Sequence, residues 1–142
     1  MLDELKLNFQ RNWLTDQGVD YISKIIRKNR AIKILHLNLS YNKIQNRGII
    51  VIAKALRKNK TLQELSLKLW GNEITCPGVQ ELAKSIESQP SIISFELSLK
   101  FNNIMIESAE FLGEALKINN FLRYLYLDFR MNMIEDDGVG QI

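Results

Sequence analysis

The sequence predicts an α/β solenoid, in which stacked repeats build a parallel sheet along one side and a row of helices along the other. Three observations carry this reading. Asparagines recur thirty residues apart, at Asn12, Asn42, Asn72, Asn102 and Asn132. Leucines keep the same step at Leu7, Leu37, Leu67, Leu97 and Leu127. Glycines keep it at Gly18, Gly48, Gly78 and Gly138, with Ser108 in the remaining slot. A fixed period over almost the whole chain marks stacked supersecondary units, not one closed core.

Each repeat reads in the same order. In residues 62–91, Leu65, Leu67 and Leu69 alternate with Ser66 and Lys68, which is a strand with one buried face. The other strands read ELKLNFQ, KILHLNLS, ISFELSLK and RYLYLDFR. Asn72 and Ile74 follow in a tight bend, and Pro77-Gly78 is expected to mark a turn. Beyond it Val79, Leu82, Ala83 and Ile86 recur at helical spacing. The helix should stop near Gln89-Pro90, because proline disfavours helix in the residue before it. Small residues Ser23, Ala53, Ala83 and Gly113 are expected to let each helix approach the strand layer closely. The glycine column is expected in turns with positive φ, a conformation that Ser108 would have to tolerate.

These residues resemble the leucine-rich repeat family, in the long subtype of ribonuclease-inhibitor-like and Ran GTPase-activator-like proteins. The resemblance rests on Leu65, Leu67, Leu69, Asn72, Ile74, Gly78, Leu82, Ala83 and Ile86. It spans residues 2–138. The pattern here is L-x-x-L-x-L-x-L-x-x-N-x-I, one strand dipeptide longer than the family's usual core. Its step also exceeds the customary one of about 28–29 residues. The resemblance implies a right-handed horseshoe with strands on the concave side and helices on the convex side. Residues 1–142 then form one domain of about four and a half repeats, without polar caps at either end. Such a chain is either part of a longer repeat protein or covered at its ends by partners, and in isolation it is expected to self-associate.

Composition narrows the function. Cys76 is the single cysteine, so no internal disulfide can form, and a reducing, cytoplasmic setting is expected. The opening MLDELKLNFQ lacks the apolar run of a signal peptide, and no stretch is apolar enough to span a bilayer. His36 is the single histidine, so no metal site is expected. No phosphate loop or nucleophile elbow occurs, and neither a cofactor nor an enzymatic activity is expected. Cys76 is read as a structural cysteine near a helix start.

Charge is unevenly distributed. Between Tyr21 and Gln63 there are eleven basic residues and no acidic one. Lys24, Arg27 and Lys28 recur as Lys54, Arg57 and Lys58, so stacking should create a basic ridge on the convex side. Two readings compete: a site for an acidic partner, or solvated cations favoured at helix C-termini. No nucleic-acid motif accompanies the charge, and nucleic acid is not the expected partner.

The outward strand positions form columns of varied chemistry, as recognition of one partner requires. Trp70, Tyr124, Tyr126 and Arg130 are of the types that dominate interface energetics. They are read either as a contact patch, joined by His36, Lys68, Glu96 and Lys100, or as ordinary surface aromatics covering their neighbours. Tyr41, Phe101 and Met131 lie one position further on and either extend this strip or turn inward. The asparagine column is read as structural, since an amide both donates and accepts and so satisfies buried backbone at the bend. The expected function is a non-catalytic protein-interaction module or subunit of a larger assembly, with cytoskeletal and ciliary scaffolds suggested by the resemblance alone. A GTPase activator of the Ran type, or a repeat segment of a receptor or inhibitor, is the alternative.

Overall fold

A computed structural model describes residues 2–134; Gly138 and the start of the fifth expected helix lie outside the described residues. The order is β1 (Glu4–Asn8), α1 (Asp16–Lys28), β2 (Ile34–Asn38), α2 (Asn46–Leu56), β3 (Glu64–Lys68), α3 (Cys76–Glu87), β4 (Ser94–Ser98), α4 (Ile106–Ile118) and β5 (Tyr124–Asp128). The strands form one parallel sheet in sequential order, and each helix packs against its neighbours in the chain. Every residue of β1 to β4 faces the residue thirty positions later, as Leu37 faces Leu67 and Leu67 faces Leu97. Parallel pairing requires a long crossover, and the helices supply it.

The strands are shorter than the alternating pattern suggests, but their pairing runs on. Leu39 N donates to Lys68 O at 2.8 Å, and Tyr41 N to Trp70 O at 2.6 Å. The inner faces of the strands meet the inner faces of the helices in one continuous core. Leu35, Leu37, Leu65, Leu67, Phe95 and Leu97 are buried against Val19, Ile22, Ile52, Leu82, Ile86 and Leu112. Exposure rises at the last described elements: Leu125 is 48% exposed and Phe121 60%.

Three expectations are corrected. The helices begin about one turn earlier than the apolar spacing indicates, so Pro77 and Gly78 lie inside the first turn of α3. Proline is tolerated there because its missing N–H would have no helical partner anyway. Gly18, Gly48 and Gly78 do not have positive φ; their role is close approach. A Cβ on Gly48 would lie 2.6 Å from Asp16 Oδ1, and one on Gly78 2.7 Å from Asn46 Oδ1. These side chains reach across to the next helix start. Asp16 Oδ1 accepts from Gln45 N at 2.8 Å, and Asn46 Oδ1 from Thr75 N at 2.9 Å and Gly78 N at 3.2 Å. One repeat thus caps the helix of the following one. At α4 the preceding residue is Cys76, and the Ser108 hydroxyl donates to its Sγ at 3.0 Å. Finally, Ser23, Ala53 and Ala83 are buried, whereas Gly113 on α4 meets open space. The small column therefore faces the next helix, not the sheet.

The asparagines join successive repeats. Asn72 Nδ2 donates to Leu69 O of its own repeat and to Leu39 O of the previous one, at 3.1 and 3.0 Å. Its Oδ1 accepts from Ile44 N at 3.1 Å. Asn42, Asn102 and Asn132 repeat this geometry, so the Leu39, Leu69 and Leu99 carbonyls each receive two amides. Asn12 has no earlier described repeat to reach; it is exposed, and its side chain bonds only Gln10 O, at 3.1 Å.

Urea denaturation measures the contribution of each of these side chains. Leu67→Ala removes a side chain 1% exposed and is expected to cost about 2–5 kcal/mol. Asn72→Ala leaves the Leu39 and Leu69 carbonyls their second donors but orphans the Ile44 N–H, for an expected loss of about 1–3 kcal/mol. Asn12→Ala should stay within about 0.5 kcal/mol of wild type.

Candidate functional site

The sheet's open face carries the expected columns in register: Glu4, Ile34, Glu64, Ser94 and Tyr124 form one ladder, and Lys6, His36, Ser66, Glu96 and Tyr126 the next. Its centre is polar and largely self-paired. His36 Nε2 lies 2.6 Å from Glu64 Oε1, and the Ser66 hydroxyl donates to Glu96 Oε2 at 2.6 Å. Lys68 Nζ approaches Glu96 Oε1 at 3.5 Å. A depression of about 350 Å³ opens over Lys6, His36, Asn38, Ser66, Lys68 and Glu96. Ser66, Ser98 and Asp128 occupy outward positions yet are buried.

Asp128 is held by Arg130, which donates from Nε at 2.9 Å, from Nη2 at 2.8 Å and from its backbone N at 3.1 Å. The Asp128 carboxyl is lowered below its ordinary pKa chiefly by the Arg130 guanidinium hydrogen bonds, and Arg130 is raised in turn. Asn8 and Asn38 make the same turn contact, accepting from the backbone N two residues on.

The aromatic residues divide into two groups. Tyr124 and Tyr126 are exposed on β5 beside Leu125. Trp70 lies just beyond β3, two strands away, and turns toward Tyr41, with ring centroids 6.4 Å apart in an edge-on arrangement. Lys100 covers the Trp70 ring at 5.4 Å. Tyr41, Phe101 and Met131 turn outward; they are 41%, 56% and 62% exposed. Their backbones explain this. Arg11, Tyr41, Phe101 and Met131 all have φ between 54° and 57°, and Gly71 in the same column has 58°. A left-handed residue here throws its own side chain outward and aims the next residue, the buried asparagine, into the bend. For non-glycine residues this costs about 1–2 kcal/mol each. The inter-repeat bonds offset it, as Phe101 N donates to Arg130 O at 3.0 Å. Residue types alone give no warning of this conformation, since only Gly71 in the column signals it.

The basic ridge is present on α1 and α2. Arg27, Lys54, Arg57 and Lys58 flank a groove of about 420 Å³ floored by Ser23, Val51 and Ala55. Arg57 is already committed, donating to Glu81 Oε2 at 2.6 Å. Lys24 sits over the Tyr21 ring at 4.8 Å. Lys28 is exposed at the end of α1. Among the described residues Lys24, Arg27, Lys28, Lys54 and Lys58 form no ion pair. A second amide column, Asn29, Asn59, Gln89 and Asn119, secures the return loops, with Asn59 Nδ2 donating to Ile32 O at 2.9 Å and Gln89 Nε2 to Leu56 O at 2.9 Å. It keeps the thirty-residue step and was legible in the sequence, hidden only by the glutamine.

Among the described residues no cluster of three His, Cys, Asp or Glu side chains could hold a metal, and no helix is long and apolar enough to cross a membrane. Cys76 is partly buried at the start of α3. Acid should weaken the fold through two carboxylates. Glu81 is lowered by Lys84 and then by Arg57, and Asp128 by Arg130. A carboxylate with a depressed folded-state pKa stabilises above its unfolded pKa and loses that contribution as the pH falls through the folded value. Urea midpoints should therefore drop as pH is taken from about 7 to about 3, and Glu81→Gln should flatten part of that drop.

A family model described as Leucine Rich repeat matches residues 5–23 and 31–53. A solved structure titled leiomodin-1 actin-binding site 2 is similar, with a TM-score of 0.68 at 21% sequence identity, over 89% of this chain and 70% of that one. No curated protein sequence matches. Residues 5–23 and 31–53 match the leucine-rich repeat, and the five parallel strands alternating with four helices among the described residues have the leucine-rich-repeat-like solenoid fold.

Proposed function

We propose that this chain is a non-catalytic protein-interaction module, or structural subunit of a larger assembly, that binds a protein partner mainly through the open face of its sheet. The observation that carries the reading is the contrast between the two faces. Inward columns are uniformly aliphatic or aromatic, whereas outward columns mix acidic, basic, amide, hydroxyl and aromatic side chains while holding one register. A rigid sheet with a polar centre and exposed Tyr124 and Tyr126 at one side offers hydrogen bonds flanked by aromatic anchors, the composition of specific interfaces. Arg130 extends this side but is preorganised by Asp128. The basic groove between α1 and α2 supports a second contact with an acidic partner, because three of its four cations, Arg27, Lys54 and Lys58, lack carboxylate partners among the described residues. A cytoskeletal assembly is our proposed setting, on the likeness in fold to the leiomodin segment; that protein's own partner is a proposal here, not an inheritance.

Photo-crosslinkers at positions 36 and 126, on the sheet, and at position 110, on α4, test this in the native assembly. Crosslinks to a protein from 36 and 126 but not from 110 are expected. Crosslinks from 110 alone would reject the sheet as the main interface. Tyr126→Ala should weaken capture of the crosslinked partner by roughly tenfold, the effect of about 1.4 kcal/mol.

A further inference from the structure

The strand-to-helix turns form a rim distinct from both the sheet face and the helices. Its outward side chains are those released by the left-handed column: Arg11, Tyr41, Phe101 and Met131, joined by Trp13, which also has positive φ and is 75% exposed. Gly71 interrupts this row. A side chain is missing there between Tyr41 and Phe101, and the Tyr41 ring leans over the space, so that a Cβ on Gly71 would lie 2.8 Å from it. Beside this gap is an apolar-walled cavity of about 380 Å³, lined by Arg11, Trp13, Tyr41, Asn42, Lys43 and Gly71. Arg11 stacks on Tyr41 at 5.0 Å and Lys43 on Trp13 at 4.8 Å. Neither cation has a carboxylate partner among the described residues, and neither has Lys100 over Trp70. The nearby acids are already engaged: Glu73 accepts from Gln45 Nε2 at 2.8 Å, and Asp16 from Gln45 N at 2.8 Å.

We propose that this rim docks an acidic protein segment that inserts one apolar side chain into the cavity beside Gly71. The charge argues for the occupant. Arg11, Lys43 and Lys100 are held by aromatic faces, which leave their hydrogen-bond donors free for carboxylates while the rings line an anchor site. The cavity accommodates one large side chain, and the flanking cations lie along the row of turns: Arg11 and Lys43 follow β1 and β2, and Lys100, which follows β4, reaches back over Trp70 beyond β3. The aromatic lining favours a peptide over a bare polyanion, because a polyanion would leave Trp13 and Tyr41 in water. The rim site is independent of the sheet interface proposed above.

Of the chain's two tryptophans, Trp13 lines the cavity and Trp70 packs edge-on against Tyr41 of its wall, so their indole N–H resonances report on the site. The test is titration of the isotope-labelled protein with an eight-residue peptide bearing one leucine flanked by aspartates and glutamates. A lysine-for-acid version of the peptide, an oligonucleotide of equal charge and anionic vesicles serve as comparisons. Saturable movement of both indole signals with the acidic peptide is expected. Trp13→Ala should weaken binding about tenfold, and Lys43→Glu, which leaves the rings in place, should weaken it at least as much. Unmoved indoles at millimolar peptide, or equal binding of the lysine peptide, would overturn the proposal. So would tighter binding of the oligonucleotide or vesicles, or indole shifts that depend on protein concentration without peptide, which would assign the rim to a second copy of this chain. Failure of the indole response with intact crosslinking from 126 rejects the rim and spares the sheet interface; the reverse result rejects the sheet interface alone.

Discussion

The structure depends on every repeat having the same path length, and the asparagine amide enforces that equality. From Asn42 to Asn132 each carboxamide spans two repeats: its nitrogen serves a carbonyl in each, and its oxygen takes an N–H from the earlier one. At the bend the buried backbone leaves the ladder of the sheet. An apolar residue there would leave N–H groups without partners, and a longer polar residue would overshoot. One extra residue in a single repeat would shift its strand by one position and turn its leucines to solvent. The thirty-residue step is thus a steric requirement as much as an inherited pattern.

Both candidate surfaces are consequences of that bend. To aim asparagine inward, the preceding residue adopts the left-handed conformation and its side chain is driven out. The rim of Tyr41, Phe101 and Met131 is what the buried ladder leaves at the surface. Constant register, in turn, makes the outer sheet face a fixed grid on which residue identity is free to vary. The helical side is held by different means. Side chains at the helix starts cap the next repeat, and small residues at Ser23, Ala53 and Ala83 admit the following helix. Scaffold and binding surface are therefore separated by position within each repeat, which suits the interaction role proposed here.

The sequence disclosed the parallel sheet, its register and its buried leucines because periodicity two and periodicity thirty are both properties of apolar residue placement. It misled where one residue type serves two physical ends. Glycine at 18, 48 and 78 looked like a left-handed turn, yet the backbone there is already helical and the need is for space beside Leu14, Asp16 and Asn46 in turn. The true left-handed column holds arginine, tyrosine, phenylalanine and methionine, residues that ordinarily avoid it, so only tertiary bonding could reveal it. The aromatic grouping was also out of reach. Column positions place Trp70 on the sheet side, but its contact with Tyr41 and Lys100 depends on side-chain direction beyond the strand end.

Hydrogen exchange at single amides tests the inter-repeat ladder most directly. Leu14, Ile44, Ile74 and Ile104 donate to asparagine oxygens of the following repeat, not to the sheet. If these bonds hold the repeats in register, the Ile44 and Ile74 amides exchange as slowly as those of β3, through global unfolding. Exchange of Ile44 and Ile74 at the rate of exposed loop amides, with β3 still protected, would contradict the account.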